Sequence, residues 1–336
     1  MKMNMNKWLE DIISSPKRKA LPIMTYPGLE LVNKKVKDVI SNSEFQFECI
    51  NELSNKYKTE ATVTIMDLSV EAEAFGSKIK FSDNEVPTVI GKIISNAEDA
   101  ENLKIPKVGD GRTSVYLNVS RIAAENINEK SVFAGHIGPF SLAGRLMDMT
   151  EIMITMMEEP EIVHTVLDKC TSFLVEYCKA FKAAGTNGVI IAEPAAGLLP
   201  PAKCDEFSSQ YVKKIVDAVQ DEGFIVILHN CGNTVKLVDS MVSTGAKAFH
   251  FGNSVKMINI LPQVPSDRIA LGNIDPASVF MNGTVEEMKV KVQNLLEEMM
   301  PFKNFVLSSG CDVPPGTSLE NVNAFFDALE EFNKSL

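Results

Sequence analysis

Residues 224–234 read "FIVILHNCGNT": an unbroken apolar run that ends on an imidazole, His229, with a thiol, Cys231, two positions later. Apolar side chains at every position, rather than every second one, mark a parallel strand covered on both faces. Similar β-type runs recur at Leu21–Tyr26, Thr62–Met66, Ser131–His136, Gly188–Glu193, Ala246–Phe251, Arg268–Asn273 and Asn304–Ser309, making eight with Phe224–His229. Longer helical patterns lie between them. Pro160 opens and Gly185 closes a helix over Glu161–Ala184, since proline suits the first turn and glycine the position just past the last. Thr284 and Glu287 form a capping box before Met288–Met300, each side chain accepting from the other's backbone N–H.

Eight strand–helix alternations predict an α/β fold of the (β/α)8 TIM-barrel type, which takes about 250 residues or more. The chain reads as one domain over 1–336. A doubly wound sheet is disfavoured because no G-x-G-x-x-G follows the first strand, and that turn is where such folds cradle a pyrophosphate. Two additions are expected. An amphipathic piece around Trp8, Leu9, Ile12 and Ile13 predicts an N-terminal helical extension. Lys78–Phe81 and Val86–Ile90, split by the turn-like Ser82–Asn84, predict a small hairpin inserted after strand two, with Pro87 limiting its second arm to an edge.

Composition narrows the function. Of the 336 residues, 45% are hydrophobic and 23% charged, the balance of a chain with a large core. A formal charge of -11 leaves no basic stripe to displace counterions, which argues against nucleic acid and against an anionic membrane surface. The first twenty residues carry no secretory apolar run, and no stretch of about 18 apolar residues occurs. Six cysteines at scattered positions (49, 170, 178, 204, 231 and 311) make no disulfide framework. A reducing cytoplasm is the expected location.

In a barrel, chemistry is built at the carboxyl ends of the strands. Those ends are Tyr26, Asp67, His136, Glu193, His229 with Cys231, His250, Asn273 with Asp275, and Cys311. In extended chain, residues i and i+2 point to one side, so His229 and Cys231 can face one point above the barrel. Cys311 follows the last run in "SSGCDVPPGT", beside Gly310. An imidazole and two thiolates suit zinc, and three protein ligands leave a fourth position open, as catalytic zinc sites do. H-x-C alone reads more readily as a packed thiol beside a hydrogen-bonded histidine; the second thiol at a separate strand end brings a shared ion level with that reading. Cys170 and Cys178 lie on one helix among Val166, Leu167, Leu174 and Val175 and read as core. Glu193 is open to three readings: a fourth ligand, a partner to His229, or a general base. A structural ion pair explains it as well. Asp67 either orients substrate or caps a helix.

The stretches "HNCGNT", "FHFGNS", "LGNIDP" and "SSGCDVPPGTSLENVNAFFDAL", with "MDLSVEAEAFG" and "GHIGPFSLAGRLMD", resemble the uroporphyrinogen decarboxylase superfamily over roughly residues 20 to 330. The H-x-C with a late Cys resembles its zinc-containing branch, the methylcobamide:coenzyme M methyltransferases and related corrinoid-dependent enzymes. The resemblance implies a zinc ion on His229, Cys231 and Cys311, activating a small thiol to take a methyl group from a methylcobamide carried by a corrinoid protein. It makes Glu193 and Asp67 candidate catalytic residues and His136, His250 and Asn273 candidate cofactor contacts. Transfer in the demethylating sense is the alternative within the class, and a non-enzymatic zinc or corrinoid module the alternative outside it. Decarboxylases of the superfamily grip propionates with arginines after the first strand; here that stretch is "IMTYPGLEL", with none. Decarboxylation is therefore ranked below methyl transfer.

Overall fold

Seven parallel strands curl around a buried interior in the computed structural model, which describes residues 3–336. They are β1 (Ala61–Val63), β4 (Ser131–Ile137), β5 (Gly188–Ala192), β6 (Ile225–Asn230), β7 (Ala248–Phe251), β8 (Ile269–Ile274) and β9 (Phe305–Ser309), side by side in chain order. The expected hairpin is a separate antiparallel pair, β2 (Lys78–Lys80) and β3 (Thr88–Ile90), with Ile79 opposite Val89.

The first predicted strand, Leu21–Tyr26, is corrected. No strand forms there, and the segment makes one bridge, Ala20 beside Leu307 of β9. The Leu21 N–H donates to Leu307 O at 2.9 Å and the Leu307 N–H to Lys19 O at 2.9 Å. Pro22 then removes the next donor. Beyond it, the Ile23 N–H turns to a side chain, Ser309 Oγ at 3.1 Å, instead of a backbone carbonyl.

Each strand presents alternate residues to two cores. Phe133, Ile190, Ala192, Ile225, Ile227, Ala248, Leu271 and Val306 share the interior cluster. Ala134, Val189, Ile191, Val226, Leu228, Phe249 and Leu307 belong to the layer between strands and helices. The N-terminal helix Met5–Ser14 closes one end of the interior. Its buried residues Met5, Trp8, Leu9 and Ile12 follow the i, i+3, i+4, i+7 spacing of one helical face. Trp8 lies 5.7 Å from the Phe133 ring and donates to Glu60 O at 3.2 Å. Burying each such large side chain stabilises by about 1.5–3 kcal/mol. The long helix Pro160–Ala183 packs outside, ended by Gly185 at φ +100. Among the described residues no helix is long and apolar enough to cross a membrane.

Candidate metal centre

The strand parity decides which polar side chains reach the open end of the interior. His229 continues Ile225 and Ile227 of β6, and Cys231 lies two residues further on the same side. Cys311 follows β9. The ligand atoms of His229, Cys231 and Cys311 lie within 4.8 Å of one another, with Cys311 Sγ 3.7 Å from His229 Nε2. Close backbone packing fixes Cys231: a Cβ on Gly252 would stand 2.4 Å from Cys231 Cα, so only glycine fits at 252. The Ser254 hydroxyl donates to Cys231 O at 3.0 Å.

Electrostatically the two thiols act as a pair. A hydrogen bond from Cys311, then one from His229, pushes Cys231 down, while the same bond and burial push Cys311 up. One proton leaves easily and the other is held. A borderline-soft, doubly charged cation would displace both protons, and nitrogen with two sulfurs is a donor set that suits zinc. The residues present fit zinc.

Above the three donors lies a cavity of about 380 Å³, walled by Met66, Leu68, Ala192 and Pro194 and overhung by Val86–Val89 of the hairpin. Arg145, from the helix Pro139–Met147, is the one lysine or arginine on its wall among the described residues, and it makes no ion pair. Tyr26 and Asp312 also line it, and the Tyr26 hydroxyl and Asp312 Oδ1 are buried without hydrogen-bond partners. Burial pushes the Asp312 carboxyl well above the ordinary range.

The other expected site residues lie elsewhere. Glu193 falls on the outward parity of β5. Its carboxylate accepts from the backbone N–H of Phe140 at 2.7 Å and Ser141 at 2.9 Å, and from the Ser208 hydroxyl at 3.0 Å. It holds the start of the helix Pro139–Met147 and reaches neither the donors nor the cavity; burial outweighs those bonds and raises its pKa. In this structure the Glu193 side chain serves as a buried cap. His136 also faces outward. Its Nδ1 bonds Ile137 O at 2.7 Å and its Nε2 lies 3.0 Å from Cys178 Sγ, and burial lowers it to about 4. The ring is buried and does not line the cavity. The Asn273 side chain donates to Gly252 O and Val255 O, both at 2.8 Å, bracing the loop after β7. His250 is sealed behind His229, its Nδ1 2.8 Å from His229 Nδ1 and its Nε2 2.8 Å from Ser308 Oγ. Asp67 is buried in an ion pair with Arg112 and accepts from Ser69 Oγ at 2.6 Å. Arg112, which binds Glu73 at 2.6 Å as well, was invisible to the strand-end reading because it precedes the helix Thr113–Asn126, far along the chain.

Comparison with known proteins follows the same lines. The uroporphyrinogen decarboxylase (URO-D) family matches residues 18–332. The methylcobamide:CoM methyltransferase MtbA of Methanosarcina acetivorans is 30% identical over 277 residues, covering 81% of this chain and 80% of that protein. The uroporphyrinogen decarboxylase of Pseudoalteromonas translucida is 26% identical over 304 residues, covering 87% and 84%. Among solved structures, a methyltransferase from Methanosarcina mazei superposes with a TM-score of 0.87 over 98% of this chain and 99% of that one, at 22% identity. A B12-independent methionine synthase from Shewanella sp. W3-18-1 gives 0.65 at 11% identity, over 95% and 96%. These two structures speak to the fold alone.

Proposed function

Because this chain belongs to the uroporphyrinogen decarboxylase family, we propose that it is that family's methyl-transferring kind, a zinc-dependent methylcobamide:thiol methyltransferase. The observation that carries the proposal is the convergence of His229, Cys231 and Cys311 on one point at the floor of the cavity. These three would hold the ion. When bound, zinc supplies the positive charge that lets a thiol lose its proton near neutral pH, where a free thiol with a pKa of about 8.5 is mostly protonated. In the transfer the thiol sulfur forms its bond to the methyl carbon as the cobalt–carbon bond breaks, and cobalt keeps the electron pair. The thiol proton goes to solvent. The chain's own residues supply position and exclusion: the apolar wall and the overhanging hairpin keep water from the sulfur, and Tyr26 offers a hydroxyl to a bound molecule. The corrinoid is expected on a carrier protein docked at the mouth. The same reading takes Lys19–Ile23 as the eighth stave of a closed (β/α)8 barrel, supported by its two backbone bonds to Leu307. Six free cysteines accord with a reducing, cytoplasmic setting.

Arg145 points to the kind of thiol. An unpaired guanidinium, the one lysine or arginine on a mostly apolar wall among the described residues, suits an acceptor with one anionic end, as coenzyme M has. Arg145→Gln should raise the KM for coenzyme M about tenfold or more, the worth of one charge-assisted hydrogen bond. The KM for 2-mercaptoethanol, which has no charge to lose, should stay within about threefold of its starting value. Equal losses for both thiols would remove Arg145 from substrate recognition.

The test of the function itself is a spectroscopic assay of methylcobalamin with coenzyme M, followed by the appearance of cob(I)alamin. Turnover is expected with the thiol, and none with uroporphyrinogen, whose eight carboxylates would meet a single cation in this cavity. Conversion of uroporphyrinogen to coproporphyrinogen without methyl transfer would reverse the assignment.

A further inference from the structure

His250 has no access to the cavity, yet it is a polar ring at 0% exposure in the barrel interior. It sits in register with His229, as β7 lies beside β6, with the ring centroids 4.6 Å apart and the planes 71° to one another. Hydrophobic packing alone does not call for an imidazole there. The hydrogen bonds do.

They form a chain whose direction can be worked out from its far end. Ser308 Oγ lies 2.7 Å from Leu21 O. A backbone carbonyl has no proton to give, so the hydroxyl must donate. Ser308 is then an acceptor toward His250 Nε2 at 2.8 Å, which places a proton on that nitrogen. A neutral imidazole carries one N–H, so His250 Nδ1 bears a lone pair. It accepts from His229 Nδ1 at 2.8 Å. The single proton of His229 is thereby held on Nδ1. Its Nε2, 3.7 Å from Cys311 Sγ, is left with a lone pair aimed at the two thiols.

We propose that His250 is a positioning residue that fixes His229 in the one tautomer able to bind a metal through Nε2, with Ser308 and the Leu21 carbonyl setting the direction from behind. Metal-binding histidines ordinarily give their second N–H to a carboxylate, a backbone carbonyl or water, and losing that partner costs about 10–100-fold in metal affinity. Here a second histidine takes that place. Glu193, the carboxylate that the strand-end positions offered for such a role, is engaged with Phe140, Ser141 and Ser208 on the other side of the strands. The inference rests on the metal reading of His229, Cys231 and Cys311.

The test separates orientation from packing. Zinc affinity is measured by competition with a chromophoric chelator, the stability of the metal-free protein by its thermal midpoint, and the His229 tautomer by the 15N shifts of the metal-free protein. His250→Phe keeps a buried ring and removes the acceptor; it should weaken zinc about 10–100-fold and release the His229 proton from Nδ1. His250→Asn, whose Oδ1 can accept in the same place, should hold zinc within a few-fold of wild type, on the geometry of its acceptor. Ser308→Ala removes only the far anchor and should give an intermediate loss, which keeps the test open if His250→Phe does not fold. The proposal is overturned if Phe and Asn at 250 bind zinc as the wild type does, or if affinity merely tracks the thermal midpoint. Should the wild type take up no zinc, the metal reading fails, and the 15N shifts still decide whether His250 orients His229.

Discussion

Cys231→Ala should lose the protein's zinc and its methyl transfer together, while the fold survives. Wild type is expected to hold about one zinc per chain, by analogy with three-ligand catalytic sites, and the variant well under a tenth of that. The rate loss has a calculable floor. At pH 7 a free thiol of pKa about 8.5 is roughly 3% thiolate, so losing the ion costs about 30-fold through ionisation alone. Loss of positioning adds to it. The pH profile is the sharper reading. Any residual rate in the variant should climb nearly tenfold per pH unit up to about 8.5, because each unit ionises more of the free thiol. The wild type should change little over that range. His229→Ala and Cys311→Ala should behave alike, and Cys170→Ala, buried in the helix Pro160–Ala183, should keep its zinc. Far-UV circular dichroism should be preserved throughout, since the interior and outer hydrophobic clusters are built without His229, Cys231 or Cys311. Full zinc occupancy in all three ligand variants would dispose of the centre.

That His229 and Cys231 belong together could be read from the chain because two residues along an extended strand return to the same side. Which side was not legible. β5 reads "GVIIA" and β4 "SVFAGHI", and with apolar residues on both faces neither has an alternation to show which positions look inward. Strand position alone therefore does not distinguish the inward His229 from the outward Glu193 and His136; parity does. Pro22 was a signal that could have been used: a residue without an N–H cannot continue a ladder, and the segment containing it is held by a single bridge. The partner of His229 was out of reach, because His250 and Ser308 come to it only through the register of β6, β7, β8 and β9. Arg145 stood in the quoted stretch "GHIGPFSLAGRLMD", but only the folded helix turns it toward the cavity.

Arg112→Met should destabilise the fold strongly without emptying any of the hydrophobic core. The guanidinium is 9% exposed and faces an Asp67 side chain with no exposure at all. It also holds Ser69 Oγ at 2.7 Å and Glu73 at 2.6 Å. Methionine fills much of the same volume, so packing changes little; what remains is a carboxylate sealed from water with only Ser69 and, at 3.3 Å, the Tyr116 hydroxyl as partners. Breaking a buried pair from one side costs about 3–5 kcal/mol, which a denaturant midpoint would register plainly. The second change discriminates the cause. Asp67→Asn in the Arg112→Met background removes the stranded charge and should recover much of the loss, although Asp67→Asn alone should itself destabilise by leaving Arg112 unpaired. A double-mutant cycle then returns a coupling well above the 0.3–0.5 kcal/mol or so that independent sites show. Ser69 and Tyr26 line the cavity beside this pair, so the double variant should regain its stability ahead of its affinity for the thiol. If the double variant is as unstable as Arg112→Met, the cost lies in lost packing and not in the buried charge.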